Sequence, residues 1–365
     1  MPQFLTLVCF RLHHHSVTSG TGVLGYRVAI SLLEAGHKDV AVGMWGYDSG
    51  RLSENSFGKQ CADELVARGA TIVDFDWSHP NKYETILKGV KTVFCSLPHI
   101  QNWADAFPAF LRACKVGKVE HFVKISFLRP THTFKGVAEI SRQYRENVPF
   151  VAFHGCCDDL LELSKGDSRI SYTILCTSHL MSSPLLSQGD TLRRDHKFVT
   201  ASYGMGVNYV SRKYFGCIIF CCEYIIRAHT VSDVFTSCFA ANDVADAAVV
   251  VLLDQQPYRN KVYNLTGPAP IKDSEVVKLL TKYYGTEIKH VQLGYHEYRK
   301  DVESRGIPEW MARDAAAMER MKATGIDEHK ECYTKDLERI IGKPPESFEA
   351  YLTHRSCMRP GMQFP

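Results

Sequence analysis

Near the amino terminus, Gly20-Thr21-Gly22-Val23-Leu24-Gly25 spaces three glycines as G-x-G-x-x-G ahead of a helical stretch, Tyr26–Ala35, that Gly36 ends. Glycines at these positions permit a tight turn and let the backbone approach a bound group closely. The free N–H groups at a helix start then face that group and the helix dipole favours its negative charge, so the chemistry on offer is capture of a pyrophosphate. A lone match is weak, and a purely structural turn is the alternative. Here the β-rich run Val40–Met44 follows roughly 20 residues on, within one βαβ unit, which is the context a dinucleotide site requires. A carboxylate at the end of that second strand would bond a ribose 2′-hydroxyl, whereas a cation would pair with a 2′-phosphate. Trp45-Gly46-Tyr47 follows the strand with no carboxylate before Asp48, and Arg51 and Lys59 lie within loop reach. This favours NADP, with Arg51 as its partner and NAD as the alternative. No metal is expected: His13, His14 and His15 are adjacent on an extended terminus, and Cys217, Cys221 and Cys222 lack a C-x-x-C pair or a histidine at zinc spacing.

The elements that must position these residues are legible from hydrophobic period. Val40–Met44, Thr71–Phe75, Thr92–Leu97, His121–Ile125 and Tyr172–Leu175 read as buried strands; Gly25–Ala35, Gly58–Arg68, Asn81–Leu87 and Trp103–Cys114 have helical spacing. Strict alternation of the two means βαβ units, hence a doubly wound α/β fold with a parallel sheet covered on both faces. After Leu180 the rhythm becomes loop-rich, with helices expected at Asp243–Leu253, Asp273–Tyr284, Glu309–Lys322 and Ser347–His354 and a strand at Val262–Leu265. Asp273 and Ser274 are the N-cap candidates and Gly285 the C-terminal stop of the second of these helices. A chain of 365 residues suggests two domains at roughly 150 residues each. The reading is a Rossmann domain over 17–180 and a smaller α/β substrate or partner domain over 181–354, whose segment 243–265 can return to the Rossmann sheet.

Composition narrows the partners. Lys+Arg 43 against Asp+Glu 40 gives a net charge of +3, too balanced for a protein that neutralises many phosphates, so nucleic acid is not expected. Thirteen cysteines, an odd number, fall below the ~8–10% density of disulfide scaffolds and point to reduced thiols in the cytoplasm. The most apolar window, Phe215–Ile226, contains Glu223 and is well short of the ~20 residues of a spanning helix, so no membrane is expected.

Thr18-Ser19-Gly20-Thr21-Gly22-Val23-Leu24-Gly25, Gly89-Val90-Lys91-Thr92-Val93-Phe94, His121-Phe122-Val123-Lys124-Ile125-Ser126 and Tyr172-Thr173-Ile174-Leu175, in this order and spacing, resemble the NmrA-like family of atypical short-chain dehydrogenase/reductases. Asp243-Val244-Ala245-Asp246-Ala247-Ala248, Tyr263-Asn264-Leu265-Thr266-Gly267-Pro268 and Gly342-Lys343-Pro344-Pro345 resemble that family's later blocks. The resemblance implies an NAD(P) cleft between a Rossmann domain and a smaller one. Its activity would be quinone or carbonyl reduction on a small molecule, or redox sensing for a regulatory protein partner. It implies that Gly20, Thr21, Gly22, Leu24 and Gly25 hold the pyrophosphate, and that Asp76 and Trp77 sit by the adenine. Ser96, Leu97 and Pro98 would line the nicotinamide ribose, and Ser126 would close the cleft.

Hydride transfer to a carbonyl needs a proton donor, which this superfamily supplies with Tyr-x-x-x-Lys. Tyr209-Val210-Ser211-Arg212-Lys213 is a chance match far downstream, and Tyr144 has Val148 where the lysine belongs. Relatives often carry a lysine shortly after the histidine of His154-Gly155-Cys156-Cys157-Asp158; this chain has cysteines there. His154 remains the candidate catalytic acid, with Ser126 beside it. Vicinal Cys156 and Cys157 read as packing residues rather than a redox pair. Two stretches fit the pattern poorly. Excising 212–240 would join Ser211 to Ala241 as the family's blocks run, so this segment reads as a retained intron or an apolar flap. The stretch Arg11–Ser16 is too polar for the strand before the glycine turn, and Phe4–Phe10 lies several residues early, so either extra residues intervene or Met1–Ser16 is foreign sequence.

Overall fold

Val40–Met44 (β2), Thr92–Ser96 (β4) and Ser171–Thr177 (β6) are buried from end to end, as strands covered on both faces must be. A computed structural model describes residues 4–7, 21–45, 57–97, 103–127, 147–164, 170–177, 179–181, 188–210, 243–325, 328 and 333–357. The strand that the glycine turn requires is Phe4–Leu7 (β1), paired in parallel register with β2 on one side and β4 on the other. Of the two alternatives for the amino terminus, the early apolar run is therefore the strand, and residues 8–20 intervene before the first helix. The segment 212–240 lies outside the described residues.

With Thr71–Asp74 (β3), His121–Phe127 (β5) and Lys261–Leu265 (β10), these strands form a seven-stranded sheet in the order β10-β6-β5-β4-β1-β2-β3. Every pairing in it is parallel. The chain order reverses between β1 and β4, and β10 returns to extend the sheet beyond β6. Helices Thr21–Glu34 (α1), Asp243–Leu253 (α7) and Asp336–Ile341 (α11) pack one face through Leu24, Val28, Val42, Phe94, Leu175, Val251 and Leu337. Tyr83–Ile86 (α3), Trp103–Gly117 (α4) and Pro149–Leu163 (α5) pack the other through Phe75, Phe107, Phe110, Phe122 and Phe153. Between them in chain order lies Phe57–Ala67 (α2), which joins the first face through Cys61 and Leu65. Gly36 ends α1 in a left-handed turn with φ 89°, its N–H on the Leu33 carbonyl.

The remaining elements are Gly189–Arg194 (α6), Asp273–Tyr284 (α8), Tyr295–Ser304 (α9), Glu309–Lys322 (α10) and Phe348–Cys357 (α12), with short strands His179–Leu180 (β7), Lys197–Thr200 (β8), Gly206–Val210 (β9), Pro270–Lys272 (β11) and Lys289–Gln292 (β12). They build two small sheets, β11-β9-β7 and β12-β8, over separate apolar clusters. The N-cap of α8 is Lys272 rather than Asp273 or Ser274. Glu275 bonds back to the Lys272 N–H, which frees Asp273 to accept from Thr200 and Ser202 in the interior. Gly285 does stop α8 in the left-handed region, as the sequence indicates. Among the described residues no helix is long and apolar enough to cross a membrane.

At the amino end of β5, His121 is fully buried and joined to Ser171 Oγ at 2.8 Å and Thr173 Oγ1 at 3.1 Å on β6. Burial, reinforced by Arg259, pushes its pKa down from 6.5 to about 4. The unfolded chain therefore takes up this proton before the folded one, so stability falls as pH drops from about 6.5 towards 4, by up to ~3 kcal/mol. Urea denaturation at pH 7.5 and 4.5 should show a smaller acid-induced loss of stability for His121→Gln than for the unaltered chain.

Candidate functional site

Because both faces of the large sheet are covered, what the chain can offer a ligand collects along the carboxyl ends of the strands, at the switch between β1 and β4. Helix α1 begins at that switch with Thr21, Gly22, Leu24 and Gly25, and it carries no acidic residue in its first turn to neutralise its positive end. Gly20, Arg51 and Pro98 lie outside the described residues. Ser96, the last residue of β4, has a buried hydroxyl with no hydrogen-bond partner among the described residues, and Leu97 beside it is buried. A buried hydroxyl left without a partner is costly. It fits a polar ligand lying along this edge, which is where the ribose and pyrophosphate of a dinucleotide would run.

On the β2–β3 side of the switch, Asp76 accepts from Trp45 Nε1 at 2.8 Å, from the Ser78 N–H at 2.8 Å and from Ser78 Oγ at 2.6 Å, with His79 Nδ1 at 3.1 Å. Burial raises its pKa, but these bonds and His79 outweigh it and hold the carboxyl below its ordinary value. Asp76 thus clamps the loops after β2 and β3 together. Trp77, expected beside the adenine, has its ring in the interior, edge-on to Phe75 at 5.0 Å and against Phe110 at 5.2 Å. Lys59, the other cation that the sequence offers for a 2′-phosphate, is ion-paired with Asp63.

On the opposite side, β5 and α5 build a buried polar cluster. Alternation along β5 puts Lys124 and Ser126 on the same face. Helical spacing puts His154 and Asp158 on one side of α5, which lies over that face. Lys124 Nζ donates to Asp158 Oδ1 at 2.7 Å, and Ser126 Oγ donates to Asp158 Oδ2 at 2.6 Å. Lys124 is 0% and Asp158 1% exposed. The ammonium also lies 3.4 Å from His154 Nδ1 and from the His154 carbonyl. Thr177 Oγ1 donates to the Ser126 carbonyl at 3.3 Å, which fixes the end of β5 against β6. His154, the expected acid, is 4% exposed and set between Phe150 and Phe153, with ring centroids 4.5 and 4.9 Å away. It stands one helical turn before Asp158, inside the protein rather than on its rim.

The two cysteines after His154 diverge: Cys156 is exposed and Cys157 buried. Burial pushes the Cys157 thiol up to about 12 although Lys124 nearby favours the thiolate, and Cys95 is driven up for the same reason. Both are packing thiols. Tyr144 lies outside the described residues. Tyr209 is buried in β9, with His179 and Phe348 beside its ring. Neither Lys124 nor Asp158 was expected as a functional residue, yet two signals mark them. A lysine in the middle of a buried strand needs a buried partner, and His154 and Asp158 stand four apart on one helix.

No family model matches the chain. Among curated proteins it is 25% identical over 336 residues to the prestalk A differentiation protein A of Dictyostelium discoideum, covering 92% of this chain and 90% of that one. It is 21% identical to the NAD(P)H azoreductase of Xenophilus azovorans, covering 92% of this chain and 95% of that one. Among solved structures, an NADPH-dependent quinone oxidoreductase of Escherichia coli complexed with NADPH superposes with a TM-score of 0.66 at 17% identity, covering 96% of this chain and 99% of that one.

The Lys124–Asp158 pair predicts a characteristic stability pattern. Lys124→Met leaves a buried carboxylate uncompensated and should cost about 3–5 kcal/mol in urea denaturation. Lys124→Met combined with Asp158→Leu should return to within about 1–2 kcal/mol of the unaltered chain. The chain shares the fold of the NADPH-dependent quinone oxidoreductase along nearly its whole length, the fold class that its sequence blocks indicate.

Proposed function

We propose that this chain is an NADP(H)-dependent oxidoreductase that reduces a small electrophilic acceptor, a quinone or a carbonyl compound, by hydride transfer. The observation that carries the reading is the carboxyl edge of the large sheet. A glycine-rich helix start with no acidic residue in its first turn and the Ser96 hydroxyl, without a partner among the described residues, stand at the switch between β1 and β4, with the Asp76 clamp on one side and the Ser126 cluster on the other. From β2 to β5 is three interstrand steps, roughly 14 Å, a span that a dinucleotide bridges. Gly20, Thr21, Gly22, Leu24 and Gly25 hold the pyrophosphate; Asp76 organises the adenosine end and Arg51 takes the 2′-phosphate. Ser96, Leu97 and Pro98 line the nicotinamide ribose, and Ser126 bounds the nicotinamide end. When bound, NADPH supplies the hydride. A quinone asks little more of the protein, because it is already electrophilic, whereas a simple carbonyl needs a proton as the alkoxide develops. The azoreductase and the quinone oxidoreductase whose chains resemble this one along nearly its whole length support the assignment. Thiols at Cys95, Cys114, Cys156 and Cys157 fit a reducing compartment, and we assign the protein to the cytoplasm.

One observation favours a second reading. The Ser126 proton is committed to Asp158 and His154 is enclosed by phenylalanines, so neither side chain holds a proton ready for an acceptor. A chain that binds the coenzyme without turnover and passes its redox state to a protein partner would need no such proton. One titration separates the readings. NADPH fluorescence should change on binding, NADPH absorbance should fall with a panel of quinones, and Gly22→Val should weaken NADPH binding at least tenfold. Binding without oxidation by any acceptor decides for the sensor, and no binding of either NADPH or NADH overturns both readings.

A further inference from the structure

The cluster of Lys124, Asp158 and Ser126 fixes the direction of one hydrogen bond. Ser126 has a single hydroxyl proton, and it goes to Asp158 Oδ2 at 2.6 Å. Asp158 cannot return one, because its other oxygen takes the Lys124 ammonium at 2.7 Å and the salt-bridged carboxylate only accepts. Burial of both charges excludes the water that would otherwise compete for these bonds. What Ser126 retains is its lone pairs, in a residue 3% exposed at the second-last position of β5, at the carboxyl end of the strand.

We infer that Lys124 and Asp158 are positioning residues that hold Ser126 as a pure hydrogen-bond acceptor. Resting on the coenzyme reading above, its partner is then the carboxamide N–H of the nicotinamide ring. This assigns Ser126 the opposite polarity to a hydroxyl that donates to a substrate oxygen. It gives the buried charge pair a task at the coenzyme rather than in stability alone: Ser126 would hold the carboxamide through its N–H₂ group and so orient the nicotinamide end.

Binding alone tests this, without turnover. The probes are NADP⁺, its 3-acetylpyridine analogue, in which a methyl ketone without N–H replaces the carboxamide, and 2′-phospho-ADP-ribose, which lacks the ring altogether. Titration calorimetry on the unaltered chain should show NADP⁺ binding about 3- to 10-fold tighter than the acetylpyridine analogue, the worth of one hydrogen bond. Ser126→Ala should abolish that preference. Asp158→Asn should abolish or invert it: the introduced side-chain amide turns its oxygen to Lys124 and its N–H₂ to Ser126, so the serine proton is released towards the ligand and a ketone oxygen becomes the better partner. A merely structural role for Asp158 would weaken all three probes alike and leave their ratio unmoved. Equal affinities of the unaltered chain for NADP⁺ and the analogue, or a preference that survives Asp158→Asn, overturns the inference. If 2′-phospho-ADP-ribose binds while that discrimination is absent, the coenzyme reading stands and only this inference fails. If no probe binds, the coenzyme reading itself has failed.

Discussion

A parallel sheet buried on both faces leaves its chain very few places for polar chemistry. In this protein the two apolar layers, one built around Val28, Phe94 and Val251 and the other around Phe75, Phe110 and Phe122, claim nearly every side chain of the central strands. Polar groups are left with the two ends of the strands, and right-handed crossovers place the starts of the helices at the carboxyl end. The glycine-rich start of α1, the Asp76 clamp and Ser126 are there for that reason. His121, at the amino end, does a different job, joining β5 to β6 through Ser171 and Thr173.

Lys124 is the exception that the constraint makes expensive. It sits within β5 and is fully buried, in the layer occupied by Cys95, Cys157 and the phenylalanines of α4 and α5. An ammonium there is tolerated only with a full set of acceptors, and Asp158, His154 Nδ1 and the carbonyls of His154 and Ile125 provide them. The requirement acts in both directions: α5 must present Asp158 at the height of Lys124, and this fixes the register of the helix against the strand. Ser126, two residues further along the same face, then falls within reach of the other carboxylate oxygen. The geometry of the rim is therefore set from the interior outward.

The legibility of the sequence followed the strength of its periodicity. Val40–Met44, Asp243–Leu253, Asp273–Tyr284 and Glu309–Lys322 stand where hydrophobic spacing puts them, because each buries a face whose period is unambiguous. The first strand was ambiguous because 8–20 separate it from the helix it feeds, more than a tight βα turn needs. The short strands β7, β8, β9, β11 and β12 were not read at all: at two to five residues they are too brief to show alternation, and their pairing is set by tertiary contacts. Asp273 has the residue type of a cap, but its carboxylate is taken by Thr200 and Ser202, a choice that only the fold reveals. In the candidate site, the glycine turn announced itself by spacing. Lys124 and Asp158 lay in separate blocks 34 residues apart, with nothing local to pair them.

The same cluster explains a departure that otherwise reads as loss. Family resemblance leads one to look for a lysine just after His154, on α5, and the chain has Cys156 and Cys157 there. Cys157 faces the interior close to Lys124, so a lysine at 157 would bring a second ammonium towards a single carboxylate, Asp158, in a region without water. In this chain the buried positive charge sits on the strand, and a small neutral thiol is what fits beside it. That placement has a chemical consequence. An ammonium carried on the helix could face the rim and lower the pKa of a neighbouring hydroxyl, whereas Lys124 is held beneath Asp158 and acts on Ser126 only through that carboxylate. A site arranged this way is better suited to orienting a coenzyme than to delivering a proton, and that matches the absence of a Tyr-x-x-x-Lys pair in the stretch after β5.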